Sequence, residues 1–174
     1  MHDPGLTPLG EEQCQQLAAA FPYHKTIELL VASPLRRTIA TALLAFDQEV
    51  KRGMRVIALP TAQETSALPS DTGSDADVLR KEMADKPVDL RLVHDGWNSK
   101  EGKWAAEAGA LEARARETRQ WLKARPEREI VLVAHGGILH YLSEDWSDSG
   151  RFNGEGLLCV TSLPFIPHQL ERPT

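Results

Sequence analysis

The sequence predicts an α/β fold, a three-layer α/β/α sandwich built on a mostly parallel sheet. Short apolar runs alternate with longer segments of helical periodicity, and the run at 130–134 is apolar at every position. An unbroken apolar strand is typical of the centre of a parallel sheet, where helices cover both faces. The chain has 174 residues, 41% of them hydrophobic, so we expect one domain over 1–174 with a sizeable core.

Helix and strand signals alternate through the first sixty residues. Thr7 and Pro8 form an N-cap followed by proline at the first helical position, which predicts a helix to about Phe21. Ser33 and Pro34 repeat this arrangement and predict a second helix with an apolar face, continuing to Val50. The predicted strands in this half are 27–32 and 55–59.

The second half continues the alternation around a long polar loop. Residues 61–77 are rich in Thr, Ser, Asp and Gly, and long loops inside compact domains are usually functional. A short helix over 78–84, a weak strand over 88–93 and a long helix over 105–125 are predicted to follow this loop. Beyond the helix after the central strand the pattern decays, so we expect 147–174 to form an irregular tail.

Composition narrows the classes of partner. The net charge is -5 and no basic block occurs, which argues against a nucleic-acid or anionic-membrane surface and favours a small molecule. Two distant cysteines, no signal peptide and no apolar run of transmembrane length lead us to expect a cytoplasmic protein. The histidines and acids show no ligand spacing, so we expect no metal and no cofactor. The oligomeric state stays open.

The central strand ends in His135, followed by two glycines and an apolar segment that begins a helix. Ligands in open α/β sheets bind at the carboxyl ends of the strands, and a helix amino terminus offers free N–H groups to an anion. We therefore expect Gly136 to bind a phosphate or another anion beside His135. The alternative is that His135 is packed and satisfied by backbone, while Gly136 and Gly137 only form a sharp turn.

Further charged positions could act with this histidine. Arg36 and Arg37 lie in the first turn of their predicted helix, where a cation opposes the helix dipole by up to about 1 kcal/mol. A bound phosphate would offset this effect, because a guanidinium forms a planar fork that matches phosphate oxygens. Considered singly, the arginines could pair with surface carboxylates, and Glu64 in the long loop could be a solvent-exposed acid. Together, an arginine, an acid and a histidine are the groups that phosphoryl transfer needs.

Three segments carry a resemblance to a known family. They are S-P-L-R-R-T-I-A-T-A at 33–42, L-T-P-L-G at 6–10 and V-A-H-G-G at 133–137. They resemble the histidine phosphatase superfamily in its phosphoglycerate mutase-like branch, with the best match over 3–146. W-N-S-K at 97–100 and H-Y-L-S-E-D-W at 140–146 also resemble one subgroup, the phosphoglycerate mutase-like proteins.

This resemblance implies a fold, a reaction and a role for each site residue. The fold would be phosphoglycerate mutase-like, and the reaction would be hydrolysis of a small phosphomonoester. Arg37 matches the arginine of the phosphate pocket, and His135 matches the second active-site histidine, which binds the phosphoryl group and stabilises the transition state. Glu64 is the candidate general acid that protonates the leaving oxygen, a role worth about 10²- to 10⁴-fold in rate.

The family's first strand ends in an Arg-His-Gly signature whose histidine is the nucleophile, and the sequence contains no such tripeptide. His2 lies five residues before Thr7 and follows no strand, so we expect an exposed terminal residue there. We therefore expect a sheet that lacks its first strand, a truncated or mis-spliced product, and weak or absent phosphatase activity. Two alternatives stay open, a non-catalytic phosphate-binding protein and a pocket in which Glu64 and His135 perform acid-catalysed non-phosphoryl chemistry.

Overall fold

The chain folds around one five-stranded sheet. A computed structural model describes residues 1–144 and the backbone of residues 159–162. The strands are β1 (Leu29–Ala32), β2 (Val56–Ala58), β3 (Val88–Asp89), β4 (Ile130–Ala134) and β5 (Cys159–Ser162). Their order is β3-β2-β1-β4-β5; β3, β2, β1 and β4 are parallel to one another, and β5 runs antiparallel to β4. The predicted α/β class with a mostly parallel sheet is confirmed.

Six α-helices and three short 3-10 helices lie in the described residues. The α-helices are α1 (Pro8–Ala20), α2 (Arg36–Ala45), α3 (Asp47–Lys51), α4 (Ala76–Glu82), α5 (Ala108–Lys123) and α6 (Gly136–Ser143). The 3-10 helices span Pro60–Ala62, Pro69–Asp71 and Gly102–Trp104. None of the helices in this part of the chain combines the length and the apolar character needed to cross a membrane.

Alternate residues of the central strands bury their side chains on opposite faces of the sheet. Val31 and Leu132 pack on one face against α5 and α6, in a cluster that includes Ala115 and Ile138. The next residues, including Leu30, pack on the other face against α1 and α2. The four residues of β1 are all buried, as expected for a strand covered by helices on both faces. The sheet therefore lies between two layers of helices, which is the predicted three-layer α/β/α sandwich.

The start of α2 differs from the sequence prediction. Thr7 caps α1 as predicted, accepting a hydrogen bond from the backbone N of Gly10 at 3.1 Å. Ser33 does not cap α2, which begins only at Arg36 with Leu35 as its N-cap and no side-chain capping bond. The second predicted helix is also interrupted at Phe46, where α2 ends and the short α3 begins.

Asp3 replaces the local cap that α2 lacks. Its buried carboxylate accepts from the backbone N of Arg36 at 3.0 Å through Oδ1. Oδ2 accepts from the backbone N and the hydroxyl of Ser74 at 2.9 and 2.7 Å. The terminal segment was expected to be a polar turn, and it instead joins the beginning of α2 to the loop before α4.

The carboxyl-terminal region was expected to be an irregular tail over 147–174. Residues 159–162 contradict this in part, because they form β5 and pair with β4. The rest of that prediction falls on 145–158 and 163–174, which lie outside the described residues.

Candidate functional site

The site lies where β1 and β4 end side by side. Ala32 is the register partner of Val133, and the backbone N of Ser33 donates to the carbonyl of Val133 at 2.9 Å. Ser33 and His135 therefore leave the sheet at the same edge. The parallel pairing of β1 and β4 brings these two side chains, 102 positions apart in sequence, to 2.8 Å, measured from Ser33 Oγ to His135 Nε2.

The hydrogen bonds of His135 fix its tautomer. Arg37 Nη2 lies 3.0 Å from His135 Nδ1, and because a guanidinium only donates, Nδ1 must accept. The proton of the neutral ring is then on Nε2, which donates to Ser33 Oγ. Burial lowers the pKa of His135 well below its usual value, and the positive charges of Arg37, Lys100 and Arg114 lower it further. His135 is accordingly a neutral imidazole.

Arg37 is held by the loop that follows β2. Nη1 donates to the carbonyl of Ser70 at 2.5 Å, and Nη2 donates to Asp71 Oδ1 at 3.0 Å. The hydroxyl of Ser66 in turn donates to Asp71 Oδ2 at 2.6 Å. The side chain of Arg37 keeps 22% of its surface exposed.

Arg36 is directed away from this site although it is the neighbour of Arg37. Its Nε and Nη2 donate to the two carboxylate oxygens of Glu82 at 2.8 and 2.6 Å, and Nη1 donates to the carbonyl of Asp3. The bond to Glu82 raises the pKa of Arg36. For Arg36, the alternative of pairing with a carboxylate is therefore the one observed.

Glu64 lies against the first turn of α6, which begins directly after His135. Its Oε1 accepts from the backbone N and the hydroxyl of Thr65 at 2.8 and 3.2 Å. A Cβ atom on Gly137 would overlap with Glu64 Oε1 and with Thr65 Oγ1, whereas one on Gly136 would meet open space. Gly137 is thus a helical residue required by close approach, and the alternative that the two glycines only form a sharp turn is not the one observed.

Two basic residues of the site were not identified from the sequence. Lys100 Nζ donates to the carbonyl of Glu64 at 2.9 Å, and burial together with Arg114 lowers the pKa of Lys100 to about 8. Arg114 Nη2 donates to the carbonyls of Gln63 and Glu64 at 3.0 and 3.3 Å, and burial lowers the pKa of Arg114 to about 10.

A signal for Arg114 was present in the helix pattern. Leu111, Ala115, Thr118 and Leu122 mark the buried face of α5, and Arg114 lies on the same face between them. A charged residue in a buried stripe is unusual and indicates a specific role. Lys100 closes the W-N-S-K segment, but nothing in the spacing of that loop predicted the contact with Glu64.

The site combines three basic side chains with two carboxylates at the carboxyl edge of the parallel strands. The cations are Arg37, Lys100 and Arg114, and the carboxylates are Glu64 and Asp71. Such a cluster attracts an anion and offers it guanidinium and imidazole donors. No group of three potential metal ligands occurs in the described residues.

Fold and site together define an α/β protein with an anion site at the end of two adjacent parallel strands. Residues 1–162 match the model of the histidine phosphatase superfamily, branch 1, and the chain belongs to that superfamily. The match extends beyond the segment 3–146 that carried the sequence resemblance.

Curated relatives agree with this assignment. The chain is 30% identical over 168 residues to a phosphoglycerate mutase-like protein of Arabidopsis thaliana, covering 80% of this chain and 62% of that protein. It is 29% identical over 167 residues to phosphoglycerate mutase-like protein 1 of the same plant, covering 80% and 59%. It is 27% identical over 139 residues to a probable phosphatase of Schizosaccharomyces pombe, covering 78% and 63%. The chain thus spans about three fifths of the length of these relatives.

Proposed function

We propose that Arg37 and His135 form the phosphate pocket of an enzyme that hydrolyses small phosphomonoesters. The observation that carries this proposal is the 3.0 Å hydrogen bond from Arg37 Nη2 to His135 Nδ1, at the amino terminus of α6. A phosphoryl group placed there would accept the Nη2 hydrogen that otherwise goes to His135, and would accept as well from the backbone N–H groups that begin with Gly136.

His135 would change its charge when the phosphoryl group binds. In the unliganded site the neighbouring cations oppose a proton on Nδ1. A dianion beside the ring reverses that balance, because an opposite charge within a few ångströms favours the imidazolium. His135 would then donate from Nδ1 to a phosphoryl oxygen while Nε2 continues to donate to Ser33, and the imidazolium would stabilise charge in the transition state.

Glu64 is proposed as the general acid for the leaving oxygen. Its carboxyl group lies beside the first turn of α6, next to the pocket, and Lys100 and Arg114 hold its backbone carbonyl. A positioned acid contributes about 10²- to 10⁴-fold, mostly for alcohols that leave poorly without a proton.

We further propose that the 174-residue chain alone binds the phosphoryl group with little turnover. Nδ1 of His135 accepts from Arg37 and Nε2 donates to Ser33, so neither ring nitrogen offers a free lone pair for nucleophilic attack. The sequence has no Arg-His-Gly tripeptide, and loss of a nucleophile reduces hydrolase turnover on the order of a million-fold.

Orthovanadate and a generic aryl phosphate test these proposals together. We expect vanadate to raise the melting temperature of the chain, because a ligand at 100 times its Kd stabilises by about 2.7 kcal/mol. Arg37→Ala and His135→Ala should abolish the shift. Arg36→Ala is the matched control and should retain it, since Arg36 bonds to Glu82 and Asp3 instead.

The outcomes separate binding from catalysis. A vanadate shift without aryl phosphate turnover supports a binding chain. Turnover that disappears in Arg37→Ala and His135→Ala supports catalysis by the chain itself and contradicts the low activity proposed for it. A vanadate shift that is unchanged in both variants refutes the pocket.

A further inference from the structure

We infer that Asp3 is a positioning residue for Arg37, and that it holds the guanidinium in the direction that binds a phosphoryl group beside His135. The inference rests on the phosphate pocket proposed at Arg37 and His135, and it adds a residue that acts from outside that pocket. Asp3 is 1% exposed and bonds to the loop before α4 and to the beginning of α2. Both of these segments determine where Arg37 lies.

Asp3 fixes both ends of the loop segment 69–74, which supplies two acceptors of the Arg37 guanidinium. At one end, the backbone N–H of Asp3 donates to the carbonyl of Pro69 at 3.1 Å. At the other end, its Oδ2 accepts from the backbone N–H and the hydroxyl of Ser74 at 2.9 and 2.7 Å. The acceptors of Arg37 lie between these two ends, so Asp3 determines their position.

The same carboxylate fixes the beginning of the helix that carries Arg37. Oδ1 of Asp3 accepts from the backbone N–H of Arg36 at 3.0 Å, and Arg36 is the first residue of α2. Arg37 is the second residue of this helix, which has no side-chain cap of its own. A negative charge at this position also favours the positive end of the helix dipole. One carboxylate thus joins the backbone of Arg37 to the loop whose atoms orient its side chain.

The backbone of Asp3 adopts an unusual conformation while it makes these contacts. Its φ is 40°, in the left-handed region that most side chains disfavour and that aspartate tolerates better. Its carbonyl accepts from Nη1 of Arg36 at 3.2 Å, so the backbone N–H, the backbone carbonyl and both carboxylate oxygens are all bonded. Segments joined in this way are preorganised, which reduces the entropy lost when a ligand binds.

Asp3→Asn disrupts these contacts without changing the size of the side chain. An amide has one acceptor oxygen, and its nitrogen only donates. The nitrogen must therefore face the backbone N–H of either Arg36 or Ser74, and the bond to α2 or the bond to the loop is lost. We expect the Kd for inorganic phosphate to rise at least tenfold, because a displacement of about 1 Å can cost about 10²-fold in an enzyme site.

The sign of this effect distinguishes positioning from electrostatics. Asp3→Asn removes a negative charge from the neighbourhood of an anion pocket, and the change in charge alone would strengthen phosphate binding. Positioning of Arg37 predicts the opposite, a weaker complex. A Kd that falls in Asp3→Asn, or that stays within threefold of the original protein, would overturn the inference.

Glu49→Gln is the matched control for a loss of stability. Glu49 is also a fully buried carboxylate, and its Oε1 accepts from Arg52 and lies 3.1 Å from His24 Nδ1. Its replacement by an amide should destabilise the fold but leave the Kd for phosphate within threefold, at a temperature at which both variants are folded. Arg36→Ala should also retain binding, because it keeps the backbone N–H that donates to Asp3. A tenfold loss in Glu49→Gln would overturn the assignment to Asp3.

The ring of His135 gives a spectroscopic reading that loss of stability alone would not change. Arg37 donates to Nδ1 in the original protein, so the ring proton is confined to Nε2. If Asp3→Asn displaces Arg37, Nδ1 loses its donor, and its ¹⁵N signal should change in the folded protein without ligand. The signal should stay in place in Glu49→Gln. An unchanged Nδ1 signal in Asp3→Asn would also overturn the inference.

The unmodified protein provides a reading if Asp3→Asn does not fold. Coupling between two sites is reciprocal, so phosphate bound at Arg37 should stabilise the contacts of Asp3. We expect saturating phosphate to slow amide hydrogen exchange at Asp3 and Ser74 at least tenfold, because these N–H groups form two of the bonds. The amide of Thr26, which donates to the carbonyl of Tyr23 in a turn, is the control. Equal exchange rates at Asp3 and Ser74 with and without phosphate would contradict the coupling.

Failure of the positioning role and failure of the pocket look different. If phosphate binds the original protein and Arg37→Ala abolishes its binding, but Asp3→Asn binds within threefold, the role of Asp3 is refuted and the pocket stands. If phosphate does not bind the original protein, the pocket is refuted and the positioning role with it.

Discussion

Gly137 offers the sharpest mutational test of how the site is assembled. Substitution by alanine introduces a Cβ that would overlap with Glu64 Oε1 and Thr65 Oγ1. The overlapping atoms belong to a short, hydrogen-bonded segment, since Thr65 already donates twice to Glu64. The neighbours therefore cannot give way without breaking those bonds, and overpacking of this kind typically destabilises by about 1–3 kcal/mol.

A second effect of the substitution has the opposite sign. Alanine favours a helix over glycine by up to about 1 kcal/mol, and Gly137 is the second residue of α6. Gly136→Ala isolates this effect, because a Cβ at Gly136 would meet open space in the same helical turn. We expect Gly136→Ala to be neutral or slightly stabilising and Gly137→Ala to be destabilising, with a difference of about 2 kcal/mol between them.

Thermal and urea unfolding of the two variants measure this difference. For a chain of this size, about 2 kcal/mol corresponds to roughly 4–8 °C in melting temperature. Equal stability of the two variants would refute the close approach of Glu64 to α6, and with it the proposed position of the general acid.

Three other outcomes follow from buried groups. Asp3→Asn should lower the free energy of unfolding by about 2 kcal/mol in a urea titration, because the charge-assisted bonds of the buried carboxylate are lost. Asp47→Asn, at an exposed position, is the control and should have little effect. Gly73→Ala should destabilise by about 1–3 kcal/mol, since its Cβ would overlap with the indole of Trp97, and an unchanged unfolding midpoint would contradict that packing. Burial keeps His135 neutral, so below about pH 6.5, where a histidine of the unfolded chain takes up a proton, the fold loses stability. The free energy of unfolding should fall by up to about 1.4 kcal/mol per pH unit. His135→Gln should flatten this slope between pH 6.5 and pH 5.

Local patterns predicted most of the fold. The apolar run of β4 (Ile130–Ala134), the N-cap at Thr7 and the buried stripe of α5 each depend on residues close in sequence, and each appears in the structure. Ser33 is a position where the local pattern gave the wrong prediction. Its sequence context is that of a helix cap, but its hydroxyl lies 2.8 Å from His135, a contact between residues 102 positions apart.

The site was predicted in outline because its principal residues follow strands or lie in the long loop. The sequence placed Arg37, Glu64 and His135 as candidates, and the structure brings them to one edge of the sheet. The sequence could not reveal Lys100 and Arg114, because their contacts with the backbone around Glu64 depend on how separate loops and helices pack. Asp3 was missed for the same reason, since its acceptors are satisfied by distant residues.

The state of the His135 ring tests the central claim most directly. ¹⁵N NMR of the chain at pH 7, with His135→Gln to assign the signal, reports which ring nitrogen carries a proton. Without ligand, we predict a neutral ring with the proton on Nε2, as the bonds to Arg37 and Ser33 require. With saturating phosphate, we predict protonation of Nδ1 as well. A ring that is already charged without ligand, or one that does not respond to phosphate, would contradict the account.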